Sequence, residues 1–375
     1  MLAMMLRHGV PVLLAGLGAI ATTTAQRTLA DVQRQFLTES QRLYASSPDE
    51  TQRSQLLSRH IAELGRFVAN EAKGDDRWNG RLMLADLELV RGQDRAAVAA
   101  LKQIDGDAAP ALLLVTAATM AQRLELTDLR AQWIRQALAK PATVEERLAM
   151  ARLLLTVLRE VDAGETIFRD TLAAATDDEQ RAYLRWYRAD AMRDREDLPD
   201  NAGFEALEQL AKDLPATYWG SVAKDRLRAT MLRVGDAAIP CRGKALDGTE
   251  IDSSKLAGKA IALVFWSGGD QDLPRLLALL QAQRKRLGDK LALVGICLDR
   301  EAAAIGPTAK GLGIDFPVLG DGKGPLQDAA LRWFVEGPQV HVIDAAGKVA
   351  GLGLHAGTAD GRSELEEVLA RAAGG

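Results

Sequence analysis

The chain has 375 residues, 47% of them apolar, 26% charged and 5% aromatic, with 47 Lys and Arg against 51 Asp and Glu. That length exceeds what one core usually serves and points to two domains, and the mixture is that of a globular chain rather than a disordered or fibrous one. The charges nearly balance and form no basic block or stripe, which excludes the electrostatic footprint of a nucleic-acid binder.

The opening residues, MLAMMLRHGVPVLLAGLGAIATTTAQ, place Arg7 ahead of an apolar run from Val10 to Ala21, then small residues. This is a secretory signal pattern over residues 1–25, with Ala19-Ile20-Ala21 or Thr24-Ala25 as places for cleavage, and it implies a periplasmic or secreted protein. The run is short for a membrane span, so membrane contact is expected only if the segment stays uncleaved as an anchor. No cysteine follows the run, which argues against a lipoprotein.

From about Leu29 to Leu232, Ala, Leu, Arg, Glu and Gln dominate, with apolar residues at three- and four-residue spacing, the pattern of successive amphipathic helices. SPDE from Ser47, TVEE from Thr143 and TDDE from Thr176 each set a hydroxyl three residues before a Glu, the signature of a capping box at a helix start. Ile104, Leu138, Leu172 and Leu210 end similar segments at roughly the 34-residue interval of tetratricopeptide repeats. Ala85, Gly92, Ala97 and Leu101 resemble the small and large positions where that family packs its two helices, and a second such unit surrounds Pro215 and Ala223. The expectation is an all-α, tetratricopeptide-like domain over residues 26–233, with an irregular helical bundle as the plainer form. A repeat array would offer an extended surface suited to a protein or peptide.

At VGDAAIPC, from Val234, the pattern changes to short β-type runs separated by Gly and Asp. Strands are predicted at Ala260 to Trp266, Leu291 to Leu298, Gln339 to Ile343 and Val349 to Leu354. Helices are predicted at Asp270 to Leu287, Glu301 to Leu312, Pro325 to Phe334 and Ser363 to Ala372. The alternation, closed by two strands joined across Asp344-Ala345-Ala346-Gly347, gives a mixed-sheet α/β domain over residues 234–375.

The segments VGDAAIP, ALDGTEIDSSKLAGKAIALVFW, LVGICLD, GIDFPVLGD and VEGPQVHVIDAAGKV, in this order, resemble the thioredoxin-like redoxin group. The likeness is to the TlpA-like thiol-disulfide oxidoreductases and the related AhpC/TSA peroxiredoxin-type domains. In those oxidoreductases a Cys-x-x-Cys opens the first long helix, where free amides and the helix dipole favour a thiolate. Counted from Phe265-Trp266, the two cysteine positions fall on Asp270 and Leu273, so the resemblance carries the fold without the motif. It also implies a cis-proline at Gly337-Pro338 whose backbone faces the site. Asp270 or Asp272 is most simply an N-cap, with Pro274 in the first turn.

The chain has two cysteines, Cys241 and Cys297, neither in the motif loop, and the mid-strand position of Cys297 suggests a buried, inert thiol. The four histidines share no ligand spacing, so no metal site is expected, and His341 fits a core or edge histidine. Two G-x-G-x-x-A matches, at Gly16 and Gly351, lack the strand, helix and acidic residue of a dinucleotide site, and no cofactor is implied. Two functions compete. One is a noncatalytic module that binds or scaffolds a polypeptide through the helices and through Trp266, Gly268, Gly269, Asp270, Gly337 and Pro338. The other is a thiol-dependent disulfide reductase or peroxidase acting through Cys241, Cys297 or a partner's thiols.

Overall fold

A computed structural model describes residues 27–44, 49–256 and 258–374. The expected signal segment and Ser47 of the first capping box lie outside them. Among the described residues eleven α-helices precede the first strand. They are α1 (Leu29–Tyr44), α2 (Glu50–Asn70), α3 (Asp75–Val90), α4 (Asp94–Leu101), α5 (Ala111–Arg123), α6 (Thr127–Leu138), α7 (Val144–Thr156), α8 (Val161–Ala173), α9 (Asp178–Arg193), α10 (Ala202–Asp213) and α11 (Tyr218–Met231). The starts of α3, α5, α7 and α9 recur at roughly the 34-residue interval read from the sequence. No helix among the described residues is long and apolar enough to cross a membrane.

The chain divides into two compact units, the division falling between Glu146 and Arg147. In the first, Leu29, Val32, Ile61, Leu64, Phe67, Val68 and Leu87 form one core. Ala85, Ala97 and Leu101 are fully buried, and Gly92 takes φ +73° in the turn that joins α3 to α4. The capping chemistry is local. Thr143 and Glu146 form a reciprocal box, the Glu146 amide donating to the Thr143 hydroxyl and the Thr143 amide to the Glu146 carboxylate. At α2 the cap is Asp49, paired reciprocally with Gln52. At α9 it is Asp177 rather than Thr176, accepting from the Gln180 amide at 2.8 Å. A carboxylate one residue further on outcompetes the hydroxyl because it is the better acceptor at a helix N-terminus.

The second unit, Arg147–Gly375, holds the α/β part together with the helices that lead into it. Its strands are β1 (Arg242–Lys244), β2 (Glu250–Asp252), β3 (Ala260–Trp266), β4 (Leu291–Cys297), β5 (Val318–Leu319), β6 (Gln339–Ile343) and β7 (Val349–Leu354). Its remaining helices are α12 (Leu273–Leu287), α13 (Ala302–Gly311), α14 (Asp328–Trp333) and α15 (Ala359–Ala372). The five-stranded sheet runs β5-β4-β3-β6-β7, parallel from β5 to β3 and antiparallel from β3 to β7, while β1 and β2 form a separate hairpin. This is the thioredoxin-like α/β domain that the resemblance implies, following a helical part.

Every residue of β3 is buried, because helices or loops cover both faces of the central strand. Ala260, Ala262, Val264 and Trp266 enter a core built with α12, α13 and α15. Ile261, Leu263 and Phe265 enter the opposite core, built with α14 and the segment before β1, against which Ala229 and Leu232 also pack. His341 of β6 lies in that second face, stacked on Trp333 at 5.1 Å and meeting Phe265 edge-on at 5.4 Å. The hairpin between β6 and β7 closes as its sequence suggests, with Asp344 accepting from the amides of Ala346 and Lys348 and Gly347 at φ +77°.

The structure departs from the sequence reading at several elements: the last helix starts at Ala359 rather than Ser363, and β5 was not expected. Strand β5 has two residues, too few to show a period. The helix expected over Pro325 to Phe334 is broken at Gln327, whose extended backbone lets its buried side chain donate to the Cys297 carbonyl. Helix α12 starts at Leu273 rather than Asp270.

Leu331 of α14 is buried among Ala182, Trp186, Leu207, Leu210, Val222 and Ala223 of α9, α10 and α11. Arg332 reaches Asp225 at 2.7 Å and the Ser221 hydroxyl at 2.9 Å. A fragment of residues 147–375 is therefore expected to unfold cooperatively. A fragment of 234–375 should lose roughly 1.5–3 kcal/mol from exposure of Leu331 alone, and urea melts of the two compare them directly.

Burial pushes the His341 pKa down to about 4, with His355 adding a smaller effect of the same sign, and its Nδ1 accepts from the Gly353 amide. The unfolded chain takes up this proton near pH 6.5 and the folded chain only near 4, so stability is complete above about 6.5 and falls as pH drops through that window. His341→Gln should flatten the wild-type decline in melting temperature between pH 6.5 and 4. Equal slopes would refute the assignment.

Candidate functional site

Strands β3 and β4 run parallel and in register, so Trp266 and Cys297 end them side by side. Strand β6 begins with Gln339 opposite Phe265. The sheet edge formed by these ends gathers three loops: Ser267 to Asp272, the residues after Cys297, and Glu336 to Pro338. In open α/β sheets, the crevice beyond the carboxyl ends of the strands is where ligands bind.

The first loop is held by an acidic side chain. Asp299 accepts the Ser267 hydroxyl at 2.6 Å and the Gly268 amide at 3.0 Å. Gly268 comes so close to Thr308 that an added Cβ would lie 2.9 Å from its methyl carbon, and Gly268 and Gly269 expose their backbone to solvent. Asp270 accepts the Asp272 amide at 3.0 Å, closing a turn ahead of the helix. Asp272 occupies the N-cap position but caps nothing: its backbone is already helical, and its carboxylate pairs with Arg275 at 3.0 Å. The expectation that Asp270 or Asp272 caps the helix by its side chain is thus corrected, because Asp270 spends its acceptor on the preceding turn.

The residues singled out in the sequence are only partly brought together. Gly268, Gly269 and Asp270 line the loop. Leu273, at the second motif position, is 1% exposed and belongs to the core. Trp266 is fully buried, its indole nitrogen without a partner among the described residues and packed against Gly295, so it is a floor of the site and not a contact surface. Gly337 and Pro338 stand at the start of β6, with Pro338 exposed. The described residues contain no cis peptide bond, so the Gly337-Pro338 bond is trans and the expected cis-proline is corrected. The trans form is the ordinary preference of X-Pro bonds. Among the described residues, neither the Glu336 nor the Gly337 amide has a hydrogen-bond partner.

Both thiols are shut away. Cys241 is 1% exposed in the core on one face of the sheet, and burial, reinforced by Asp328 and Asp252, pushes its pKa up to about 12. Cys297 is 1% exposed in the core on the other face, and burial likewise pushes it up to about 12 against the amide of Asp299. The sheet separates them, and both are free thiols. A thiolate is the reactive form, so neither environment promotes nucleophilic sulfur at neutral pH. Among the described residues no group of His, Cys, Asp and Glu could hold a metal ion.

Sequence reasoning missed Ser267, Asp299 and Gln327. The available signal was the Asp two residues beyond a strand end in ICLDR, at the sheet edge where polar residues serve sites. Which loop that Asp would close depends on β3 and β4 being neighbours.

No family model and no curated protein matches the chain. Solved structures similar to part of it include the thioredoxin domain of a thiol-disulfide oxidoreductase from Bacteroides vulgatus, 18% identical over 37% of this chain and 99% of that one, with a TM-score of 0.33. A thioredoxin-family thiol:disulfide interchange protein from Chlorobium tepidum is 22% identical over 38% of this chain and 97% of that one, with a TM-score of 0.31. A secreted disulfide oxidoreductase from Mycobacterium tuberculosis is 20% identical over 35% of this chain and 95% of that one, with a TM-score of 0.30. The activities in these descriptions are those of the matched proteins.

Neither cysteine should react with a thiol-specific reagent at pH 7 on the folded chain, while both react after denaturation. Rapid labelling of either one in the native protein would contradict their burial.

Proposed function

We propose that this protein is a noncatalytic polypeptide-binding or scaffolding module. Its thioredoxin-like site keeps an exposed backbone edge and has given up thiol chemistry. The observation that carries the reading is the pairing of two features in one place. The motif positions are a turn-forming Asp270 and a core Leu273, while the Glu336 and Gly337 amides, in the loop that leads into β6, have no partner among the described residues. An extended peptide can satisfy such donors by main-chain hydrogen bonds, with specificity left to its side chains. The recurring helix pairs, read as a tetratricopeptide-like array, supply a second surface for the same kind of partner. Residues 1–25, read as a signal, put this activity in the periplasm or outside the cell.

The test is binding by the full chain of a pool of unstructured peptides from a reduced, alkylated protein digest. Retained peptides are expected, and Gly337→Val should weaken them at least about tenfold, since a Cβ at this position meets nothing within 4 Å and the side chain would stand in the peptide's path. Disulfide reduction or peroxide turnover that disappears in Cys241→Ser or Cys297→Ser would establish the enzymatic function instead.

A further inference from the structure

Phe334 ends α14 in the left-handed region, at φ 54°, a conformation usually left to glycine at this position. The Val335 amide closes the helix onto the Ala330 carbonyl at 2.9 Å, and Pro338 follows three residues later. The Phe334 ring is gripped from outside its own element. The guanidinium carbons of Arg193, from α9, and Arg226, from α11, each lie 4.5 Å from its centre, and Phe204 of α10 meets it edge-on at 6.1 Å. The same two arginines approach the Glu336 carboxylate at 3.4 and 3.6 Å. Both are held in turn by the Asp190 carboxylate, at 3.2 and 3.0 Å. Gly337, by contrast, has no neighbour within 4 Å of where a Cβ would stand.

A left-handed phenylalanine keeps its conformation only where the surroundings over-determine it. We infer that Arg193, Arg226 and Phe204 are positioning residues for the 335–338 loop: by trapping the Phe334 ring they hold the backbone direction of Glu336 and Gly337 ahead of β6. This rests on the peptide-binding reading of that loop and adds what governs it. The loop takes its binding shape while α9, α10 and α11 grip Phe334, and a partner that displaces those helices releases it. The exposed contacts to Glu336 are the weaker part of the grip, because solvent screens them.

Amide hydrogen exchange on the intact chain, with no peptide present, tests this. Arg193→Met and Phe334→Ala should speed exchange at Val335 at least about tenfold and leave the β3 and β4 amides unchanged. Phe334→Gly should restore near-wild-type protection at Val335, because glycine adopts the left-handed conformation without a clamp. The inference is overturned if Val335 stays protected in the first two variants. It is equally overturned if the acceleration spreads over β3 and β4, or if glycine protects no better than alanine. Failure of the peptide-binding reading looks different: the exchange pattern persists and the wild-type chain retains no peptide.

Discussion

The Asp190 carboxylate is the joint on which the second unit turns. It is mostly buried and lies 2.8 Å from Arg152 of α7, 3.0 Å from Arg226 of α11 and 3.2 Å from Arg193 of its own helix. Burial would raise its pKa, but Arg226, Arg152 and Arg193 outweigh that and hold it below the usual carboxylate range. Removing the Asp190 carboxylate itself would leave the buried Arg226 largely uncompensated, which typically costs about 3–5 kcal/mol, whereas loss of one arginine leaves Asp190 paired to the other two. The arginines do more than neutralise it. Held by Asp190, Arg193 and Arg226 present their faces to Phe334, so the helices and the loop before β6 become one packed object.

The sheet edge next to that loop shows how burial settles chemistry. A central strand covered on both faces needs two cores, and each core takes one cysteine. The apolar packing that stabilises the sheet raises both thiol pKa values to about 12 and withdraws them from solvent. What stays polar and accessible at the edge includes backbone: the Gly268-Gly269 turn pinned by Asp299, and the amides of Glu336 and Gly337, which have no partner among the described residues. Main-chain donors of this kind suit recognition of another chain better than electron transfer.

Much of this was legible in the residues. The runs AIALVFW, QVHVI and VAGLGL became β3, β6 and β7 with the expected bounds, because apolar runs flanked by Gly and Asp leave little freedom in where a strand starts or stops. The reciprocal pair at Thr143 and Glu146 formed as read, while at Thr176 the neighbouring Asp177 won the cap. Less of the site was legible. Trp266 reads as a site residue by position and proves to be its floor, and the Gly337-Pro338 bond is trans.

Local chemistry accounts for the helix and strand pattern, the change of regime near Val234 and the loss of both motif cysteines, since each depends on residues within one or two turns of each other. Three outcomes depend on residues far apart in the chain. Asp299 closes the Ser267 loop because parallel pairing puts the ends of β3 and β4 side by side. Leu331 and Phe334 bind α14 to helices more than a hundred residues earlier. Cys241 and Cys297 are silenced by two cores that exist only once the sheet is covered. Burial and long-range pairing are properties of the assembled chain, and no window of sequence contains both partners.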